Sequence, residues 1–120
     1  MGDAVYELYV RKHLLGSGEV HTDSLQKEAV KYVSAAAQEK IIRRLSEGEL
    51  TEEELSLVKR ARNHKASSSK RTRASKKGSD IITDKMATAY EALIGYLYLD
   101  GLTERLKEII NRSFDIIENE

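Results

Sequence analysis

An all-α fold is what the sequence predicts, on three observations. No segment alternates apolar and polar residues as a strand would, the 120 residues contain no proline, and apolar side chains recur at helical spacing. Proline deletes a backbone donor and clashes with the preceding turn, so its absence suits long helices.

Six helices follow in order. Residues 3–15 (DAVYELYVRKHLL) form the first, with Val5, Leu8 and Leu15 at helical spacing and Gly16-Ser17-Gly18 as its stop. Asp23 with Gln26 reads as a capping box opening a second helix that runs to about Val33. Ser34 caps a third, from Ala35 to Leu45, which ends near Gly48. Thr51 with Glu54 is a cleaner capping box, opening a fourth helix that turns Leu55, Val58 and Ala61 inward. From about Ala66 to Ser79 the chain is rich in serine, lysine and arginine and has no large apolar residue. It reads as a mobile loop with too little to bury. A fifth helix runs from about Asp84 to Leu99. A sixth runs from Thr103 to Ile117, with Leu106, Ile109, Ile110 and Phe114 on its apolar side.

Length and composition narrow the function. The chain is one domain's worth, 40% hydrophobic and 33% charged, with no internal repeat. Cysteine is absent, which removes disulfides, thiolate metal sites and a cysteine nucleophile. No apolar run approaches the ~20 residues of a membrane span and no signal-peptide pattern opens the chain, so the expectation is a cytoplasmic protein with no membrane partner.

Net charge is zero, from twenty basic and twenty acidic residues, but the charge is unevenly spread. Between Lys59 and Lys77 lie nine bases and no acid: Lys59, Arg60, Arg62, Lys65, Lys70, Arg71, Arg73, Lys76 and Lys77. That segment carries +9 and the rest −9, an asymmetry an extended polyanion would feel. No aromatic lies between Tyr32 and Tyr90, which disfavours single-strand recognition by base stacking. Duplex RNA is read by shape, 2′-hydroxyls and phosphates, which lysine, arginine, serine and asparagine supply. Arg60 and Asn63 fall near one another on the fourth helix. A solvated charge run without a partner is the plainer alternative.

Two carboxylates stand out. Asp3 opens the first helix, with Glu7 and Arg11 one and two turns on, a stripe that ordinary dipole and i,i+4 pairing also explain. Glu91 sits in ATAYEALIGYLYL, the most apolar stretch, and its helical neighbours Asp84, Ala87, Thr88, Ile94, Gly95 and Tyr98 are mostly small or polar. Something can approach that face closely. A lone ionised carboxylate buried there costs several kcal/mol unless it is paired or binds a cation, whereas one on the wet side of the helix costs nothing. The scattered His13, His21 and His64 read as surface residues, and Tyr96 and Tyr98 as core or contact residues.

GDAVYELYVRKHLL resembles the signature segment of ribonuclease III catalytic domains, and YEALIGYLYLD their second acidic helix. VSAAAQ, LTEEELSLVKRARN and the basic loop resemble one branch in particular, the bacterial Mini-ribonuclease III. The resemblance runs through nearly the whole chain. It implies a ribonuclease III-like helical domain that cuts double-stranded RNA as a homodimer, each active site cutting one strand and leaving 5′ phosphates and short 3′ overhangs. It implies Asp3 and Glu91 as catalytic and metal-binding residues, magnesium as the cofactor with manganese as a substitute, and the precursor of the large-subunit (23S) ribosomal RNA as substrate. It implies that Arg60, Arg62, Asn63, Lys65, Lys70, Arg71, Arg73, Lys76 and Lys77 contact RNA. Glu7 matches a family-typical acid.

Thr88 stands where ordinary ribonuclease III has another aspartate, so the resemblance implies a site with fewer ligands, as is common in the Mini branch. It also implies a helical lead-in, and ordinarily a further glutamate, ahead of Gly2, where this sequence has only Met1. The resemblance to the Mini branch also implies that the separate RNA-binding domain of ordinary ribonuclease III is not expected after the sixth helix. The alternative is a non-catalytic RNA-binding or ribosome-assembly protein of the same fold; a helical adaptor with an incidental basic loop is a weaker third.

Overall fold

The computed structural model describes residues 2–16, 22–63 and 78–119, with backbone alone for 22–25 and 78–80. The described residues form α1 (Gly2–Gly16), α2 (Thr22–Val33), α3 (Ala35–Leu45), α4 (Glu52–Asn63), α5 (Gly78–Leu99) and α6 (Thr103–Glu118), and none is in a strand. The fold is all-α, as the sequence predicts. No described helix is long and apolar enough to cross a membrane.

Two of the three caps read from the sequence are made. Ser34 Oγ accepts from the Ala37 amide at 3.2 Å, satisfying one of the donors orphaned at the start of α3. Thr51 and Glu54 bond reciprocally, the Thr51 amide to Glu54 Oε1 at 2.9 Å and the Glu54 amide to Thr51 Oγ1 at 3.2 Å. α5 ends in a Schellman turn, in which the Leu102 amide reaches the Leu97 carbonyl and the Gly101 amide that of Tyr98. The turn requires a left-handed residue, and Gly101 supplies it at φ 70°.

α5 is the central element. Met86, Ala87, Ala89, Tyr90, Leu93, Ile94 and Leu97 are all buried, and α1, α3, α4 and α6 each pack against it. A helix apolar around most of its circumference has no other stable place. Inside the core the Tyr6 hydroxyl donates to the Tyr32 carbonyl at 2.9 Å. Tyr90 and Ser113 share a 2.8 Å bond, so the buried hydroxyls are not orphaned.

Three expectations change. α1 turns Tyr6, Val10 and Leu14 inward beside Val5, while Leu8 and Leu15 are each 55% exposed. The large aromatic Tyr6 takes the core side and rotates the apolar stripe away from the leucines. α5 begins at Gly78, six residues before the expected Asp84, so 78–79 of the expected loop are helical. Serine and aspartate lower helix propensity only modestly, so a polar composition does not by itself exclude a helix. α2 begins at Thr22, which puts Asp23 inside the helix and not at its cap. The rest of the expected loop, 66–77, lies outside the described residues.

A polar tie fixes α4 to α6. Arg105 donates from Nε to Glu54 Oε2 at 2.8 Å and from Nη2 to Glu54 Oε1 at 2.7 Å, and Nη2 also reaches the Glu49 carbonyl at 2.8 Å. Glu54 is buried, and the Arg105 guanidinium holds its carboxyl below the ordinary value of 4.5. A carboxyl depressed on folding contributes stability above its unfolded pKa and loses that contribution as pH falls through the folded value. Unfolding free energy therefore declines below about pH 4.5 in the parent, and less steeply in Arg105→Ala. At pH 7 that variant loses about 2–3 kcal/mol in urea unfolding, because a buried carboxylate is left without its partner. Equal stability of the two proteins at pH 7 refutes the tie.

Candidate active site

Both carboxylates singled out in the sequence lie where α1 crosses α5. Gly2, the first residue of α1, is buried against the backbone of Glu91 and Gly95. Asp3 follows it and is exposed, while Glu91 is partly buried on α5. Burial, and secondarily the charge of Asp3, push the Glu91 carboxyl above its ordinary value. Two acids brought to one helix crossing, one exposed and one partly buried, are a candidate for holding a cation. Such sites are where perturbed carboxyls carry function.

The donor set is all oxygen and small, and among the described residues no group of three or more histidines, cysteines, aspartates and glutamates gathers. Magnesium fits this chemistry, because it keeps several waters and is held by one or two carboxylates plus substrate phosphate. Thr88 lies one turn before Glu91 and is exposed, offering a hydroxyl where an acid would add charge. Glu7 is engaged elsewhere: Arg11 donates to its Oε1 from Nη2 at 2.9 Å and from Nε at 3.3 Å. The stripe of Asp3, Glu7 and Arg11 is thus an ordinary ion pair preceded by an aspartate without that partner.

The basic residues of α4 occupy another flank of α5. Arg60 and Asn63 line one open groove together with Glu52, Leu55, Ser56 and Lys59, and Arg62 Nε donates to Asn63 Oδ1 at 3.4 Å. Arg60 also borders a second groove, where Glu52, Glu53 and Tyr96 meet. Tyr96 is partly buried and packs on the core, while Tyr98 is 52% exposed. Lys65, Lys70, Arg71, Arg73, Lys76 and Lys77 lie outside the described residues, as do His21 and His64.

Sequence reasoning missed two arrangements. One is the backbone contact at Gly2, signalled only by glycines at 2 and 95 beside each acid. The other is His13, read as a plain surface residue. Its ring stacks on Phe114 at 4.4 Å between centroids, and its Nε2 lies 2.6 Å from Glu118 Oε2, which also accepts from the Tyr32 hydroxyl at 2.8 Å. These contacts pin the end of α6 to α1 and α2. Residues 105 positions apart leave no local pattern to read.

Comparison with known proteins gives a consistent answer. The Ribonuclease III domain family matches residues 1–102. Mini-ribonuclease 3 of Brevibacillus brevis is 48% identical over 120 residues, covering 100% of this chain and 84% of the relative. Mini-ribonuclease 3 of Streptococcus pneumoniae is 40% identical over 98% of this chain and 88% of the relative. A crystal structure of a Fusobacterium nucleatum protein superposes with a TM-score of 0.76 at 33% identity, covering 95% of this chain and 85% of that one. Sequence and fold agree, and the chain belongs to the ribonuclease III family of endoribonucleases, in its Mini-ribonuclease III branch.

Proposed function

We propose that the protein is a magnesium-dependent endoribonuclease that cuts double-stranded RNA as a homodimer in the cytoplasm and matures the precursor of the 23S ribosomal RNA. The observation that supports the catalytic part is the seating of Gly2, next to Asp3, on the backbone of Glu91 at the α1–α5 crossing, with the Glu91 carboxyl raised by burial and by the charge of Asp3. Asp3 and Glu91 would hold the ion, Asp3 from the open side where a phosphate has access and Glu91 from the partly desolvated side. A magnesium ion there, with manganese as a substitute, would supply Lewis acidity toward the scissile phosphate and charge neutralisation. In the hydrolysis, a water oxygen bonds to phosphorus, the bond to the 3′ oxygen breaks, and the phosphate stays on the 5′ end of the downstream fragment.

The bases of α4 and of the segment following it act before chemistry. Arg60, Arg62, Asn63, Lys65, Lys70, Arg71, Arg73, Lys76 and Lys77 would contact phosphates and 2′-hydroxyls and so hold the duplex without reading its sequence. The homodimer follows from the family resemblance, and the exposed Leu8 and Leu15 of α1 are apolar surface a second copy would cover. The 23S precursor is the substrate the resemblance implies.

Incubating a long RNA duplex with the protein, with and without magnesium, tests the reading on a gel. Short duplex products with 5′ phosphates are expected with the metal and intact RNA without it. Intact RNA in both lanes at enzyme excess, with salt-sensitive binding retained, overturns the enzymatic reading in favour of a non-catalytic RNA-binding protein of the same fold. Thr88, in place of a further acid, is the residue that favours that second reading.

A further inference from the structure

Gly2 has no room for a side chain. A Cβ built on it would overlap the backbone oxygen of Glu91, and would lie 2.8 Å from that residue's carbonyl carbon and 3.0 Å from the backbone nitrogen of Gly95. These are backbone atoms of α5, held in the helix's own i→i+4 ladder, so none can swing aside as the tip of a long side chain does. From the other side the crossing is looser. A Cβ on Gly95 would stand 3.4 Å from the Gly2 nitrogen and 3.7 Å from its Cα, which is ordinary contact. The two glycines at one crossing are therefore not equivalent.

We propose that Gly2 is a positioning residue for the carboxylate pair. Its bare Cα lets α1 seat on the peptide of Glu91 itself, and that seating sets the separation between Glu91 and Asp3, the next residue along. The inference rests on the reading that Asp3 and Glu91 hold the ion. Any side chain at position 2 lifts the first turn of α1 off α5 and carries Asp3 with it. Beyond that turn Val5, Tyr6, Val10 and Leu14 remain anchored in the core, so the displacement is confined to the end that bears the acid. A shift on the order of 1 Å at a reacting centre is enough to cost about a hundredfold in rate.

The asymmetry gives the test. Mn2+ is titrated into the full chain without RNA, and free Mn2+ is followed by electron paramagnetic resonance. Gly2→Ala is expected to weaken Mn2+ binding about 10–100-fold, the range seen when support of metal ligands is lost. The same variant lowers kcat on duplex RNA and leaves KM unchanged. Gly95→Ala is expected to stay within about threefold of the parent in Mn2+ affinity, while Gly95→Leu, which presses on the crossing from α5, falls with Gly2→Ala.

Parent-like Mn2+ affinity in a folded Gly2→Ala, or equal damage from Gly95→Ala, overturns the proposal. Should Gly2→Ala fail to fold, Gly95→Leu decides alone, because it leaves α1 unaltered; parent-like affinity there overturns the proposal equally. Asp3→Asn and Glu91→Gln run in the same titration separate the two levels. If they leave Mn2+ binding intact, the site itself is misassigned. If they weaken it and Gly2→Ala does not, only the positioning role fails.

Discussion

Asp3→Asn and Glu91→Gln are each expected to abolish cleavage of an RNA duplex while leaving its binding intact. The loss expected in kcat is about a thousandfold or more, equivalent to about 4 kcal/mol of transition-state stabilisation. Each substitution replaces an anionic oxygen ligand by a neutral amide of nearly the same shape, so the charge that draws the metal falls while the packing of α1 on α5 does not change. Affinity for RNA, set by phosphate contacts elsewhere, stays within about threefold. Thermal stability provides an internal check. Asp3 pushes the Glu91 carboxyl up, so its charge disfavours the ionised neighbour, and Asp3→Asn relieves that conflict. The melting temperature of that variant is expected to equal or exceed the parent's, as happens where a functional site is held at a cost in stability. Full cleavage by either variant, measured in single-turnover assays, removes both acids from the catalytic assignment.

Replacing Lys70, Arg71, Arg73, Lys76 and Lys77 together by alanine is expected to have the second large effect, this time on binding. Every phosphate neutralised by a base releases condensed counterions, and the logarithm of affinity falls with the logarithm of salt by about 0.9 per contact. Removing five such bases is expected to flatten the slope by up to about 4–5 and to weaken binding most at low salt. Filter binding of a long RNA duplex across a salt series measures both. Cleavage at saturating RNA is expected to survive, since Asp3 and Glu91 are untouched. An unchanged slope assigns the charge run to solvent and returns the grip to α4 alone.

The parts of this structure that were legible in the sequence are those with a local signature. Ser34 and the pair Thr51 and Glu54 announce helix starts because the capping chemistry spans only three residues. The apolar face of α6 repeats at 106, 109, 110 and 114, and each of those residues is buried. Asp3 and Glu91 are singled out together only through resemblance to a family, because nothing in the spacing of residues 88 positions apart relates them. Leu8 and Leu15 misled because helical spacing marks a stripe without saying which of two adjacent stripes the core takes, and Tyr6 decided it. The tie from Arg105 to Glu54 and the cluster of His13, Tyr32 and Glu118 pair residues distant in sequence, which no periodicity encodes.

The central position of α5 has a consequence for how this protein can vary. Its carboxylate flank and its α4 flank share one backbone and one interior, so under the proposed function a change at Leu93, Ile94 or Leu97 would disturb cutting and holding together. The outer faces of α4 are free of that bond, since Lys59, Arg60 and Asn63 point away from the interior. Under the proposed function, selection for a new RNA shape would have room to work on the rim, residue by residue, while the axle beneath must stay as it is.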